Sequence, residues 1–142
     1  MNKNHNSANS QFLKIYDELL NNRDISKNFA ENFKIECVSR IFKCNNLKDF
    51  QETYKIIKKG LPDFAKSPLS CSSKDDKMFV LYKCSGTHTG DDVADFPATN
   101  KRGEWYSISI YTIKSGLITS LISVSNELDI CKQLGWDISK IK

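Results

Sequence analysis

Two hydrophobic periods divide this chain into a helical first half and a strand-forming second half. Between residues 11 and 60, apolar side chains recur at the spacing of one face of an α-helix. From residue 69 onward, β-branched and aromatic residues gather in runs bounded by turn residues, as they do in strands. Helices followed by a meander of strands predict an α+β fold and not the alternating pattern of a parallel sheet.

The first half is predicted to hold three helices. Asp24 is the expected N-cap of the second helix, which is short, and a short strand is expected after it over 35–42. Asn46 is the expected N-cap of the third helix, with Gly60 just past its end. The apolar positions of the three helices are, in order, Phe12, Ile15, Tyr16, Leu19 and Leu20; Phe29, Ala30 and Phe33; and Leu47, Phe50, Tyr54 and Ile57.

Three strands and a final helix are predicted in the second half. The strands cover 77–85, 103–113 and 117–124, and the last two are joined by a hairpin at 114–116. The final helix covers 127–134, with Gly135 as its C-terminal cap. Because strand neighbours alternate sides, Trp105, Ser107, Ser109 and Tyr111 are expected on one face of the sheet.

Composition narrows the class of protein. The chain has 142 residues, 39% of them hydrophobic and 27% charged, which is typical of one globular domain. We expect a disordered tail over 1–10 and a single domain over 11–138. The net charge of +4 comes almost entirely from lysine, which argues against nucleic-acid binding. No apolar run approaches the ~20 residues that cross a bilayer, so no membrane association is expected.

The number and spacing of the cysteines indicate the cellular compartment in which the protein is expected. The five cysteines are odd in number and widely spaced, which favours a reduced, cytoplasmic protein. Cys84 and Cys131 lie in apolar segments and are expected to be buried, inert thiols. The acidic loop residues Asp91, Asp92 and Asp95 lack the spacing of a calcium loop, so a solvated loop is expected there and no metal site.

One segment carries a family resemblance. Residues 85–90 read Ser-Gly-Thr-His-Thr-Gly, and 96–102 read Phe-Pro-Ala-Thr-Asn-Lys-Arg. They resemble the Gly-Thr-His-x-Gly and Pro-Pro-Thr-Gly-Arg pattern of SnoaL-like polyketide cyclases, in the nuclear transport factor 2-like superfamily. Weaker resemblances follow in the family's order, so that the similarity covers about 11–135. They fall on 16–24, 46–50, 61–64, 107–113, 126–128 and 132–135.

The resemblance implies a fold and a function. The expected fold is a cone, in which N-terminal helices pack in the concave face of a curved, mostly antiparallel sheet. The expected ligand is a hydrophobic, polyketide-like small molecule, and the expected assembly is a homodimer formed through the sheet. Members of the family close a ring by an intramolecular aldol reaction with a carboxylate as acid and base, and no cofactor is implied.

Three positions depart from the catalytic members. Leu121 falls where the family has histidine, Asn126 where it has aspartate, and Ser109 where the preceding strand has aspartate. None of these side chains takes a proton at neutral pH. The resemblance therefore implies either a divergent cyclase or isomerase with unorthodox groups, or a non-catalytic module for ligand binding or protein interaction on the same scaffold.

Few catalytic candidates remain, and each has a structural alternative. His88 is either an acid or base at the mouth of the cone or a residue that shapes its loop. Glu127 either supplies the missing carboxylate or is an ordinary acid in the first turn of the last helix, with Asn126 as its cap. The aromatic candidates also suit an ordinary core or dimer interface. The expected ligand-binding residues are Tyr54, Tyr82, Trp105, Ser109, Leu121 and Asn126.

Overall fold

A single five-stranded sheet organises the molecule. The computed structural model describes residues 14, 15, 17, 18 and 26–141. The strands are β1 (Phe29–Val38), β2 (Ala65–Lys74), β3 (Lys77–Thr87), β4 (Arg102–Lys114) and β5 (Leu117–Ser125), in the spatial order β1-β5-β4-β3-β2. β1 runs parallel to β5, and every other pair is antiparallel. The predicted α+β class with a mostly antiparallel sheet is confirmed.

From residue 26 to residue 141, the structure shows two regular helices. They are α1 (Leu47–Gly60), before β2, and α2 (Glu127–Leu134), after β5. Short 3-10 turns occur at Ser26–Asn28 and Ile138–Lys140. Positions 14, 15, 17 and 18 are helical, and Ile15 is buried in the core, as predicted for the first helix. The other predictions before residue 26, including the tail, the remaining face of that helix and the Asp24 cap, lie outside the described residues.

The tight turns follow their sequence signals. The β4–β5 hairpin turns at Ser115 and Gly116, whose φ angles are 51° and 77°. Two successive positive φ angles match the right-handed twist of paired strands, as in a type I′ turn. Asp75 has a φ of 54° in the turn between β2 and β3. Gly135 ends α2 with a φ of 70°, so its predicted role as a C-terminal cap is confirmed.

Helix α1 begins where the sequence predicts and ends differently. The Asn46 side chain accepts a hydrogen bond from the Asp49 N–H at 2.9 Å, which confirms the predicted N-cap. Gly60 is the last helical residue and not the residue past the end, so that prediction is wrong. A Cβ at Gly60 would overlap the Val93 side chain and lie 2.9 Å from the Asp91 carbonyl oxygen. Glycine is therefore required there for close approach of the 88–93 loop, and not for a left-handed backbone.

The predicted second helix is wrong, because residues 29–33 begin β1. Phe29 and Phe33 keep the spacing of a helix face, and their ring centroids lie 4.4 Å apart. The register of β1 against β5 shifts between Phe29 and Lys34, which indicates a bulge there. Phe29 and the residues from Lys34 to Val38 pair in parallel with β5, so tertiary structure overrides the local pattern. The strand that was expected over 35–42 starts earlier and ends at Val38.

Strand β2 is missed by the sequence pattern. Its residues read Ala-Lys-Ser-Pro-Leu-Ser-Cys-Ser-Ser-Lys, with no apolar alternation. It is an edge strand, which tolerates Pro68 because one side of an edge needs no ladder hydrogen bond. Its register against β3 shifts between Pro68 and Ser70.

The sheet has one buried face and one exposed apolar face. The buried face, called the inner face below, carries Met78, Val80, Tyr82 and Cys84 of β3. The predicted set Trp105, Ser107, Ser109 and Tyr111 of β4 shares that face, and all four residues are buried. The opposite face, called the outer face, carries Phe79, Leu81 and their cross-strand neighbours. The inner face packs against Phe50 and Phe64 from α1 and the segment after it.

Candidate ligand-binding site

A chain of hydroxyl groups lies at the centre of the inner face. The hydroxyls of Tyr82 and Tyr111 share a hydrogen bond of 2.9 Å, and the Ser109 side chain bonds to Tyr111. Tyr82 is 2% exposed and Tyr111 is 4% exposed. Burial raises the pKa of both phenols, so both remain protonated at neutral pH. These bonds place three protonated hydroxyl groups side by side on the inner face.

Aromatic rings continue this surface toward α1. The Tyr54 ring from α1 meets Phe64 edge-on at a centroid distance of 5.6 Å, and Phe64 stacks on Trp105 at 6.2 Å. Burial, followed by the nearby Cys84 and Tyr111, raises the pKa of Tyr54 to about 12. The Phe64 ring thus connects Tyr54 of α1 with Trp105 of β4. Rings in these geometries offer a large apolar surface to a flat ligand.

Two thiols lie beside the aromatic surface. Cys84 is paired across the strands with Trp105, and its Sγ lies 3.6 Å from the Ser107 hydroxyl. Burial raises the pKa of Cys84. Burial, with a hydrogen bond to Cys44, raises the pKa of Cys37 on β1 to about 12. Both thiols are therefore protonated and weakly nucleophilic at neutral pH. Cys84 and Cys131 are buried, as predicted.

Lys66 brings an amine to the inner face, and sequence reasoning missed it. It lies on β2 opposite Cys84, and its Nζ lies 4.3 Å from the centre of the Tyr82 ring. A cation over an aromatic face is attracted by the ring's electrons. Desolvation lowers the pKa of this amine. The residue has no sequence signal of its own, because the pattern of 65–74 does not indicate a strand and so assigns Lys66 to no face.

Hydrogen bonds hold His88 in a buried cluster with Trp136 and Asp91. The Trp136 indole N–H donates to His88 Nδ1 at 2.9 Å, and the other ring nitrogen, Nε2, lies 2.8 Å from the Asp91 carbonyl oxygen. An indole N–H can only donate, so Nδ1 is the acceptor and Nε2 carries the proton given to Asp91. The ring is 0% exposed, and Trp136 stacks on Phe96. Both nitrogens are thus engaged, which favours the loop-shaping alternative for His88.

Asn126 and Glu127 serve the start of α2. The Asn126 side chain is exposed and accepts from the Asp129 N–H at 3.3 Å, which is the predicted cap. Glu127 accepts hydrogen bonds from the Ser39 hydroxyl and, at 2.9 Å, from the Arg40 N–H. These bonds tie α2 to the segment after β1. The placement favours the structural alternative for both side chains.

The remaining expected ligand-binding residues lie together. Leu121 is buried on β5 beside Tyr111 of β4 and Ile35 of β1, so it shares the inner face with Ser109. The structure brings five of the six expected residues to this side of the sheet and leaves Asn126 outside. The five are Tyr54, Tyr82, Trp105, Ser109 and Leu121. Lys66, Phe64 and Cys84 are additional members of the surface.

The described part of the chain holds neither a metal-ligand cluster nor a membrane-spanning helix. Among the described residues, no group of three or more histidine, cysteine, aspartate or glutamate side chains is placed to hold a metal ion. Asp91 instead contributes its backbone, since its N–H donates to the Lys59 carbonyl at 3.2 Å. No helix within the described part of the chain is long and apolar enough to cross a membrane.

The fold and this inner surface define a class of protein. Helices packed against a five-stranded sheet that is antiparallel except for its parallel β1–β5 pair match the predicted nuclear transport factor 2-like fold. The family model for SnoaL-like polyketide cyclases matches residues 10–134. The chain therefore belongs to the SnoaL-like polyketide cyclase family, as its motifs predict. No curated protein matches the sequence.

Solved structures agree with this assignment of fold. AclR, a candidate hydroxylase from Streptomyces galilaeus, aligns with a TM-score of 0.72 at 16% identity over 95% of this chain and 90% of AclR. IdmH, a candidate polyketide cyclase from Streptomyces antibioticus, aligns with a TM-score of 0.71 at 14% identity over 90% and 98%. TsrD from Streptomyces laurentii aligns with a TM-score of 0.69 at 15% identity over 96% and 99%. At these identities the likeness shows the fold alone.

Proposed function

We propose that the inner face binds a hydrophobic, polyketide-like carbonyl compound. The observation that carries the proposal is the hydroxyl chain of Tyr82, Tyr111 and Ser109, set in an aromatic surface. A mostly apolar surface with a few convergent polar groups is typical of a small-molecule site. In this proposal a hydroxyl group of the chain formed by Tyr82, Tyr111 and Ser109 donates to the ligand's carbonyl oxygen, and Tyr54 and Trp105 cover the ligand's apolar body.

The same chain of hydroxyls favours a second candidate, a divergent cyclase or isomerase. Ring closure by an aldol reaction needs a base for a C–H proton and a donor for the developing enolate oxygen. A tyrosine hydroxyl supplies the donor. The family's usual ionisable groups are replaced by Ser109, Leu121 and Asn126, so the base has to come from another residue. Binding without the family's standard chemistry is therefore the primary proposal.

A matched pair of neutral ligands tests the primary proposal by calorimetric titration. Methyl naphthyl ketone carries the carbonyl, and naphthalene lacks it. We expect Tyr111→Phe to weaken ketone binding about fivefold, the value of a net hydrogen bond of about 1 kcal/mol. Naphthalene binding should stay unchanged. Tyr106→Phe, on the exposed outer face, is the control and should change neither ligand. Absence of ketone binding, or equal losses for both ligands, would contradict the proposal.

We also propose that the outer face forms a homodimer. Cross-strand pairing aligns Leu81, Ile108, Val124 and Val38 in one apolar row across four strands. Val38 is 51% exposed, and Tyr106 beside the row is 58% exposed. Contiguous apolar patches on a sheet mark interaction surfaces, whereas scattered apolar residues do not. A second copy of the same face would cover this row symmetrically.

We infer that the protein works in the cytoplasm. All five cysteines carry free thiols, although Cys37 and Cys44 are hydrogen-bonded neighbours that an oxidising compartment could join. Thiol counting on protein taken from cells under acid quench tests this inference. Five reactive thiols after unfolding are expected, and a Cys37–Cys44 disulfide would contradict it.

A further inference from the structure

Lys66 places an amine on the inner face of the sheet. It belongs to β2, at one edge of the sheet, while Cys37 belongs to β1, at the other edge. The amine lies over the ring of Tyr82, and Cys84 is the cross-strand partner of Lys66. The Lys66 side chain is half-buried there, and desolvation lowers the pKa of its amine.

The charge of Lys66 has no protein counter-ion within the described part of the chain. Its electrostatic neighbours are the Cys84 and Cys37 thiols, whose pKa values are both raised, so neither carries a charge at neutral pH. Lys83, on the outer face of the neighbouring strand β3, forms an ion pair with Glu104, in which Nζ and a carboxylate oxygen lie 3.5 Å apart. The Tyr82 ring offsets only part of the desolvation of the Lys66 ammonium.

We propose that Lys66 anchors the anionic oxygen of an amphipathic ligand, a carboxylate or an enolate, whose apolar body lies on the aromatic inner face. This inference rests on the proposed function, because it assigns a charge to the ligand of the same site. A bound anion replaces the missing counter-ion and accepts a charge-assisted hydrogen bond from Nζ. The ligand class is thus a hydrophobic organic monoanion, in addition to neutral carbonyl compounds.

The position of the tyrosines supports this placement. Lys66 Nζ lies over the ring of Tyr82, whose hydroxyl belongs to the hydroxyl chain. Cys84 is the cross-strand partner of Lys66. The Tyr82 phenol and the Cys84 thiol both have raised pKa values and carry no charge at neutral pH, so neither competes with a bound anion for Nζ. The ring of Trp105, opposite Cys84, is placed to contact the ligand's apolar body.

The test compares two ligands of nearly equal shape. Naphthoate carries a carboxylate, and methyl naphthyl ketone replaces one carboxylate oxygen with a methyl group. Binding of both is measured by calorimetry to the wild type and to Lys66→Met, Lys66→Arg and Lys83→Met. Taking the ratio of the two affinities within each variant cancels any general effect of the substitution on the cavity or on folding.

We expect the wild type to bind naphthoate at least about tenfold more tightly than the ketone, as a hydrogen bond to a charged group should provide. Lys66→Met should reduce the ratio to about one, Lys66→Arg should retain a preference for the anion, and Lys83→Met should match the wild type. Equal binding of both ligands to the wild type, or an unchanged ratio in Lys66→Met, overturns the role of Lys66 and leaves the proposed function standing. Failure of both ligands to bind overturns both proposals.

Discussion

Substitution of Gly90 by alanine should loosen the loop that carries the family motif. Gly90 donates its N–H to the Gly60 carbonyl at 2.9 Å, and the next residue, Asp91, donates to the Lys59 carbonyl at 3.2 Å. These two bonds satisfy carbonyls in the last turn of α1, which has no further helical partners for them. A Cβ at Gly90 would overlap the Lys59 carbonyl oxygen and lie 3.1 Å from its carbon.

The magnitude follows from the bonds that this overlap breaks. The obstacle is backbone, so the loop has to move away from α1 and lose both hydrogen bonds, each worth about 0.5–1.5 kcal/mol. The movement also carries away the Asp91 carbonyl that accepts from the buried His88 Nε2–H, and an unsatisfied buried donor costs about 1–3 kcal/mol. Partial relaxation of the loop limits the sum, so we expect a loss of about 2–4 kcal/mol in the free energy of unfolding.

Chemical unfolding followed by circular dichroism measures this loss, and thermal melting checks it. For a chain of this length, a loss of about 2–4 kcal/mol lowers Tm by roughly 7–14 °C. Thr89→Ala is the matched control, because Thr89 is exposed in the same loop and its substitution should cost under about 0.5 kcal/mol. A Gly90→Ala protein within about 0.5 kcal/mol of the wild type would refute the reasoning, because it would show that the loop moves without losing these bonds.

Two further predictions concern the outer face and acid stability. Ile108→Lys, which puts a charge in the middle of the exposed apolar row, should convert the proposed dimer to a monomer in light scattering, and a wild type that is itself monomeric would count against the dimer. Hydrogen bonds from the Thr87 N–H and hydroxyl hold the pKa of Asp63 below its usual value. A lowered folded pKa stabilises the fold above about pH 4 and loses this effect as the pH falls through the folded value. Asp63→Asn should thus cost under about 1 kcal/mol at neutral pH, since the site is half exposed, and the difference should vanish in acid. A pH-independent difference in urea unfolding would argue against the carboxylate as its cause.

Local signals in the sequence were sufficient for the part of the fold from β3 to α2. The 127–134 helix, its Gly135 cap and the hairpin at Ser115 depend on residues close together in the chain, and all three are confirmed. Alternation along β4 likewise placed Trp105 and Ser109 on the buried face. These features are local, so a pattern in one short window determines them.

The errors arise where distant segments determine the structure. Residues 29–33 keep a helical spacing but become a strand, because β5 supplies a parallel partner about ninety residues away in the chain. The edge strand β2 has no apolar alternation to detect, because most of its residues are polar and exposed. The sequence pattern predicts that Gly60 ends the helix as a cap. A glycine is required there because the Val93 side chain of another segment packs against it.

The same distinction explains which part of the site could be predicted. Ser109 and Leu121, which the resemblance places where the family has ionisable groups, both lie on the inner face, and their role in ligand binding stays a prediction. The charge on that surface comes instead from Lys66, on the one strand that the pattern does not reveal. The proposed site therefore keeps an ionisable group even where the resemblance implies that the family's acid and base are absent. That group is an amine from the edge strand, without a counter-ion among the described residues, which suits the proposed binding of an anion.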